Sequence, residues 1–230
     1  MTVQERLIGE ADLQGNDLLA WLSRPAAGLE LDVGCGTGQF LCEAARIAPH
    51  RRFLGIEIRE DLSRRTLMRI KRYDLVNARV VTAEAHQFIR TYLGAESVAM
   101  VHIYFPTPFP KRTIAINRLV TRDFIRECHR VLEPLGGIRL ATDHEGYYSA
   151  AKKLFFGGGW WPQAWQRMSL GQPSHYVVGT PLEKMARERL HHEIFYLQAH
   201  RVVDSRAGSF VGVTISSLGE RRSEEADGNS

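Results

Sequence analysis

The stretch Leu29-Glu30-Leu31-Asp32-Val33-Gly34-Cys35-Gly36-Thr37-Gly38-Gln39-Phe40 decides the fold. Five residues of strand character run straight into G-C-G-T-G, and a helical pattern begins at once. Glycines at Gly34, Gly36 and Gly38 let the backbone turn sharply between strand and helix and let a ligand come close to the main chain. A glycine turn of this kind also occurs in dinucleotide-binding folds, so two further details matter. Counted from Gly34, the sixth position of the G-x-G-x-x-G pattern is Gln39 rather than glycine. Asp32 also sits just ahead of the turn, where a pyrophosphate would be repelled and the ammonium of a methionine moiety attracted.

Outward from this turn, short apolar runs alternate with segments of helical length. FLGIE at 53, ARVVT at 78, VAMVHIYF at 98 and GIRLAT at 137 read as strands. Helices are expected after Thr37, after Glu60, near Glu84 to Thr91, from Thr121 to Leu132 and from Glu145 to Phe156. Such alternation predicts a mostly parallel sheet covered on both faces. HEIFYLQAHRV, near residue 192, reads as a late strand added antiparallel to the sheet. Glu57 ends the second strand, where a carboxylate can accept both hydroxyls of a ribose. Glu84 comes after the third strand and is placed to face an adenine edge.

The chain has 230 residues, 44% of them hydrophobic and 24% charged, enough for one full core. We expect a single domain over 1–217 with a short N-terminal extension, 1–27, and a polar tail, 218–230, that is disordered. The Gly-, Pro- and Trp-rich stretch from Gly157 to Pro181 has little periodicity and reads as a long functional loop or an irregular insertion. Cys35, Cys42 and Cys128 form no C-x-x-C pair and no even disulfide set, so a reduced, cytoplasmic setting without a structural metal is expected. No run reaches the ~18 apolar residues of a membrane helix, and a soluble protein is expected. Net charge is only +4, but the pI of about 9.1 and the run Arg51, Arg52, Arg59, Arg64, Arg65, Arg69, Lys71, Arg72 point to an anionic partner. If the helix after Glu60 turns Leu62, Leu67 and Ile70 inward, several of these arginines face outward.

The fourth strand runs into Phe105-Pro106-Thr107-Pro108-Phe109-Pro110-Lys111-Arg112. Its three prolines fix dihedrals and remove backbone donors, so the loop is stiff and lies at the carboxyl end of the sheet, where open α/β folds bind ligands. A rigid loop carrying a ring and a cation can stack a base and hold a phosphate.

Three segments together resemble the bacterial tRNA (guanine-N7)-methyltransferases, the TrmB family. The family's F-P-D-P-W-x-K looks like FPTPFPK at 105, its T-D-W-E-x-Y like TDHEGYY at 142, and its late T-x-F/Y-E like TPLE at 180. The resemblance covers roughly residues 29 to 200. It implies a Rossmann-like class I fold with a mostly parallel seven-stranded sheet and helices on both faces, S-adenosyl-L-methionine as cofactor, and tRNA as partner. Position by position, it implies cofactor contacts at Asp32, Gly34, Gly36, Gly38, Glu57, Glu84 and Thr107, substrate contacts at Lys111, Asp143, Thr180 and Glu183, and no metal. Thr107 stands where the family has its active-site aspartate, Phe109 where it has tryptophan, Leu182 where it has an aromatic and Met185 where it has a cation. Thr107 and Asp143 are therefore the candidate catalytic positions. The reaction implied is methyl transfer to N7 of a guanine in the variable loop. A same-fold methyltransferase with another substrate, or a non-catalytic RNA-binding relative, stands beside it because of Thr107. Monomer and homodimer are both compatible with the sequence.

Overall fold

The computed structural model describes residues 18–22, 28–107, 119–156, 165–166 and 194–201. In chain order these form α1 (Leu18–Leu22), β1 (Leu29–Val33), α2 (Gln39–Ile47), β2 (Arg52–Glu57), α3 (Glu60–Arg72), β3 (Ala78–Thr82), α4 (Ala85–Tyr92), β4 (Val98–Tyr104), α5 (Arg122–Val131), β5 (Leu132–Thr142), α6 (Glu145–Phe156), β6 (Trp165–Gln166) and β7 (Phe195–His200). The strands make one seven-stranded sheet in the order β3-β2-β1-β4-β5-β7-β6. β1 to β5 are parallel, and β7 pairs antiparallel with both β5 and β6. β1 to β5 and the late antiparallel strand are those that the pattern of apolar runs predicted, and the seven-stranded sheet is the one the family resemblance implied; β6, in the stretch read as a loop or insertion, was not predicted. The expected tail, 218–230, and most of the Gly157 to Pro181 stretch lie outside the described residues; within the latter, only Trp165–Gln166 is described, as the edge strand.

The period-2 alternation of the strands divides the core into two layers. Leu29, Leu31 and Val33 of β1 point into a cluster with Phe88 of α4, Phe124 of α5 and Tyr147 of α6. On β2 and β3, Phe53, Ala78 and Val80 face the other way, against Phe40 and Leu41 of α2 and Leu67 and Ile70 of α3. Leu67 and Ile70 thus turn inward as expected, joined by buried Ser63 and Thr66, while Leu62 is half-buried.

β5 begins at Leu132, earlier than the expected Gly137. Its register against β4 shifts between Val98 and Met100, so that Leu132 and Gly137 on β5 oppose residues only two apart on β4. The excess residues bulge out around Leu135, whose φ is 67°. Pro134 interrupts the strand pattern here, which is why periodicity alone starts the strand after it.

The order reverses at β1, with β2 on one side and β4 on the other. Such a switch point opens a crevice beyond the carboxyl ends of the strands. Both the glycine turn and the Pro-rich loop leave the sheet there.

Candidate functional site

Asp32 is the second-last residue of β1 and faces the α2 and α3 side of the sheet, level with Gly55 of β2 and His102 of β4. It is 4% exposed, and its Oδ2 has no hydrogen-bond partner among the described residues. Burial, with the charge of Glu57 alongside, pushes its carboxyl up to about 7, while the backbone N–H of Leu41 pulls in the opposite direction. A buried carboxylate oxygen without a donor is costly unless a cation or donor arrives to meet it.

The glycine turn is built to leave space beside that oxygen. Gly34 N donates to Ile56 O at 2.7 Å and Gly38 N to Cys35 O at 2.9 Å, folding the chain back onto β2 before α2 begins. Gly34, Gly36 and Gly38 have φ of 75°, 58° and 71°, a region where side chains bring strain. At Gly34 and Gly36 an added Cβ would meet nothing within 4 Å, so these two line open space. Gly38 is different: a Cβ there would lie 2.8 Å from Thr66 Oγ1 and closer still to Thr66 Cγ2. Thr66 is buried and its hydroxyl donates to Gly36 O at 2.9 Å, so α3 itself clamps the turn.

Glu57 closes the other side of the crevice. Its Oε2 accepts from Gly36 N at 2.9 Å and its Oε1 from Arg59 N at 3.0 Å. Each carboxylate oxygen keeps a second lone pair for a hydroxyl donor. Glu84 is exposed and caps α4, accepting from His86 N at 3.0 Å and Gln87 N at 2.7 Å. That cap fixes its carboxylate at the end of β3, and sequence reasoning did not assign it this structural task.

β4 ends in a sharp turn. Phe105 has a φ of 51°, a left-handed conformation that a bulky residue ahead of proline rarely adopts, and its N–H donates to Ala141 O at 2.7 Å. The turn carries Pro106 and exposed Thr107 to the carboxyl edge, beside the end of β5, where Asp143 is half-buried. Next to it His144 Nδ1 accepts from Tyr147 N at 3.1 Å, so the ring itself closes the first turn of α6. Asp32, Gly34, Gly36, Gly38, Glu57, Glu84, Thr107 and Asp143 thus gather at one edge of the sheet. Lys111, Thr180 and Glu183 lie outside the described residues. Among the described residues, no group of three or more His, Cys, Asp and Glu could hold a metal ion.

A family model described as "Putative methyltransferase" matches residues 26–157, from just ahead of β1 to the end of α6. The chain belongs to this methyltransferase family. A tRNA (guanine-N(7)-)-methyltransferase of Rubrobacter xylanophilus is 32% identical over 136 residues, 59% of this chain and 60% of that protein. One of Thermotoga maritima is 36% identical over 121 residues, 53% of this chain and 39% of that protein. The chain therefore matches less than two thirds of the length of either, and the similarity bears out the resemblance read from the three motifs. Among solved structures, the 16S rRNA methyltransferase KamB superposes with a TM-score of 0.56 at 16% identity, covering 80% of this chain and 92% of that one. A 16S rRNA (adenine(1408)-N(1))-methyltransferase of Catenulisporales acidiphilia gives 0.53 at 14%, covering 83% and 95%. These show the fold, which is that of the class I methyltransferases.

Proposed function

We propose that this family member transfers a methyl group from S-adenosyl-L-methionine to N7 of a guanine in the variable loop of tRNA. The observation that carries the cofactor assignment is the buried, unpartnered Oδ2 of Asp32 beside a glycine turn that leaves room at Gly34 and Gly36. An ammonium supplies the missing donor, Glu57 accepts from ribose hydroxyls, and Glu84 stands at the adenine end. The cofactor supplies an electrophilic methyl on a sulfonium. The names of the relatives, with Lys111, Asp143, Thr180 and Glu183 in matching motifs, support tRNA as substrate. That substrate implies a cytoplasmic setting, and no described helix is long and apolar enough to cross a membrane.

Guanine N7 carries an in-plane lone pair and no proton, so the reaction needs no general base. The protein's task is to hold N7, methyl and sulfur in line, which the Phe105–Thr107 turn after β4 serves. A carboxylate aimed at the purine would also stabilise the positive charge that builds on it, and Thr107 offers only a hydroxyl dipole. Asp143, at the neighbouring strand end, is the carboxylate left to meet that charge.

On α3, Arg64 pairs with Glu60 and Arg59 with Asp61, whereas Arg65, Lys71 and Arg72 are exposed and available to phosphates. Transfer of labelled methyl from the cofactor to an unmodified tRNA transcript tests the reading. Wild type is expected to turn over, with activity falling steeply as salt rises. Thr107→Asp is expected to be faster by roughly 30-fold, since an aimed charge is worth about 2 kcal/mol or more. A Thr107→Asp variant with no gain would count against this role for the loop.

A further inference from the structure

Beneath the site runs a polar chain that neither the cofactor contacts nor the family motifs account for. Arg51 Nη1 donates to Glu30 Oε1 at 2.7 Å, and Glu30 Oε2 lies 2.7 Å from His102 Nε2. His102 Nδ1 in turn lies 3.0 Å from the hydroxyl of Tyr104. Glu30 is 1% exposed and His102 is wholly buried. The ring of Phe40, at the start of α2, sits 4.7 Å from the rings of both His102 and Tyr104, edge-on to the latter.

The direction of each bond is set by the charges. Burial pushes Glu30 up, but the hydrogen bonds from His102 and Arg51 and the charge of the Arg51 guanidinium outweigh it and leave it low. Burial, with the charges of Arg139 and Arg51, lowers His102 against the pull of Glu30. Glu30 is therefore ionised and His102 neutral, with Nε2–H donating to the carboxylate and bare Nδ1 accepting from the Tyr104 hydroxyl. The chain fixes one tautomer and, through it, one orientation of the tyrosine ring.

Tyr104 leads directly into the strained turn. A left-handed Phe105 ahead of proline persists only where its surroundings hold it. Phe105 is held by its N–H bond to Ala141 O, by packing against Ala141 and Ile194, and by the tyrosine immediately before it, pinned through its hydroxyl and against Phe40.

We propose that Glu30, His102 and Tyr104 form a positioning chain that holds the Phe105–Thr107 turn at the carboxyl edge, and so sets where the target base meets the transferred methyl. The second half rests on the methyl-transfer reading; the first half does not.

Amide exchange tests the anchoring directly, because Pro106 and Pro108 carry no N–H and the Phe105 amide stands nearly alone in its peptide. Tyr104→Phe removes one oxygen from a ring that keeps its packing, and Glu30→Gln removes the charge that sets the tautomer. Each is expected to speed exchange at Phe105 about 10-fold or more while leaving β2 and β3 protected. In the transfer assay each is expected to lower kcat about 10-fold with KM for tRNA and cofactor affinity unchanged. Unchanged exchange at Phe105 in Tyr104→Phe overturns the proposal, as does acceleration spread evenly over the sheet. If wild type transfers no methyl, the exchange result still judges the anchoring; if transfer is intact but exchange does not move, the chain fails as a positioning device and the functional reading stands.

Discussion

Replacing Asp32 with asparagine is expected to lower the affinity for S-adenosyl-L-methionine by roughly 100-fold while leaving the fold intact. Breaking a buried charge pair costs about 3 kcal/mol or more, and every 1.4 kcal/mol is about tenfold in affinity. Asparagine keeps the shape and hydrogen-bonding reach of the protonated acid, so the free protein has little reason to unfold. Titration calorimetry on wild type and Asp32→Asn measures the first effect and thermal melts the second. The pH dependence distinguishes this cause from a general disturbance. With its carboxyl raised to about 7 in the folded state, free Asp32 keeps its proton on the acid side of that value. An ammonium ligand needs the ionised form, so wild-type affinity is expected to fall by up to about tenfold per pH unit on acidification below about 7. The stability of the free protein runs the other way. The unfolded chain releases this proton near 3.8 and the folded one near 7, so the folded state binds more protons between them. The contribution of Asp32 is fully present below about 4 and is lost as pH rises through about 7. Asp32→Asn should flatten both trends and leave the free protein at least as stable as wild type at pH about 8.

Gly38→Ala is expected to cost about 3 kcal/mol or more and to lower Tm by roughly 6–12 °C. Two terms add at this position. A φ of 71° is strained for any residue with a Cβ, and the new Cβ would collide with both Cγ2 and Oγ1 of Thr66. Thr66 cannot swing away without giving up its bond to Gly36 O inside a fully packed helix face. Making the same change in a Thr66→Ala background removes the two closest contacts and leaves the dihedral strain with a tight 3.0 Å approach to the Cβ of residue 66. The double-mutant cycle, read by denaturant unfolding, should therefore show a coupling of about 1–2 kcal/mol. Additive losses would mean that Thr66 does not crowd position 38.

The parts of this molecule that were legible in its sequence are those that repeat or punctuate. Apolar runs separated by helical lengths gave the sheet, and alternation in HEIFYLQAHRV gave the antiparallel strand, because burial on a pleated surface leaves a period-2 trace. The placement of Asp32, the three glycines and Glu57 at strand ends was readable because turn chemistry and charge both mark the end of a strand. Glu30 and His102 were missed for the opposite reason. Each is a single polar residue inside an apolar run, LELDV and VAMVHIYF, and neither run names its neighbour across the sheet. The usable signal was their position: a glutamate two residues before Asp32, hence on the same face, and a histidine inside the neighbouring strand, level with Asp32. The start of β5 was missed because Pro134 hides a strand that begins, bulges and resumes. For Glu84 the sequence offered a ligand contact, and the structure adds a helix cap; both draw on the same two oxygens at the end of β3.

The central claim is the reaction at guanine N7, and one measurement meets it directly. Unmodified tRNA is incubated with the protein and S-adenosyl-L-methionine, digested to nucleosides and analysed by mass spectrometry. The expected product is 7-methylguanosine, formed about 50-fold more slowly when Asp32→Asn replaces wild type at a cofactor concentration near the wild-type Kd, as a roughly 100-fold weaker affinity requires. Cofactor binding with no 7-methylguanosine in any tRNA would contradict the assignment.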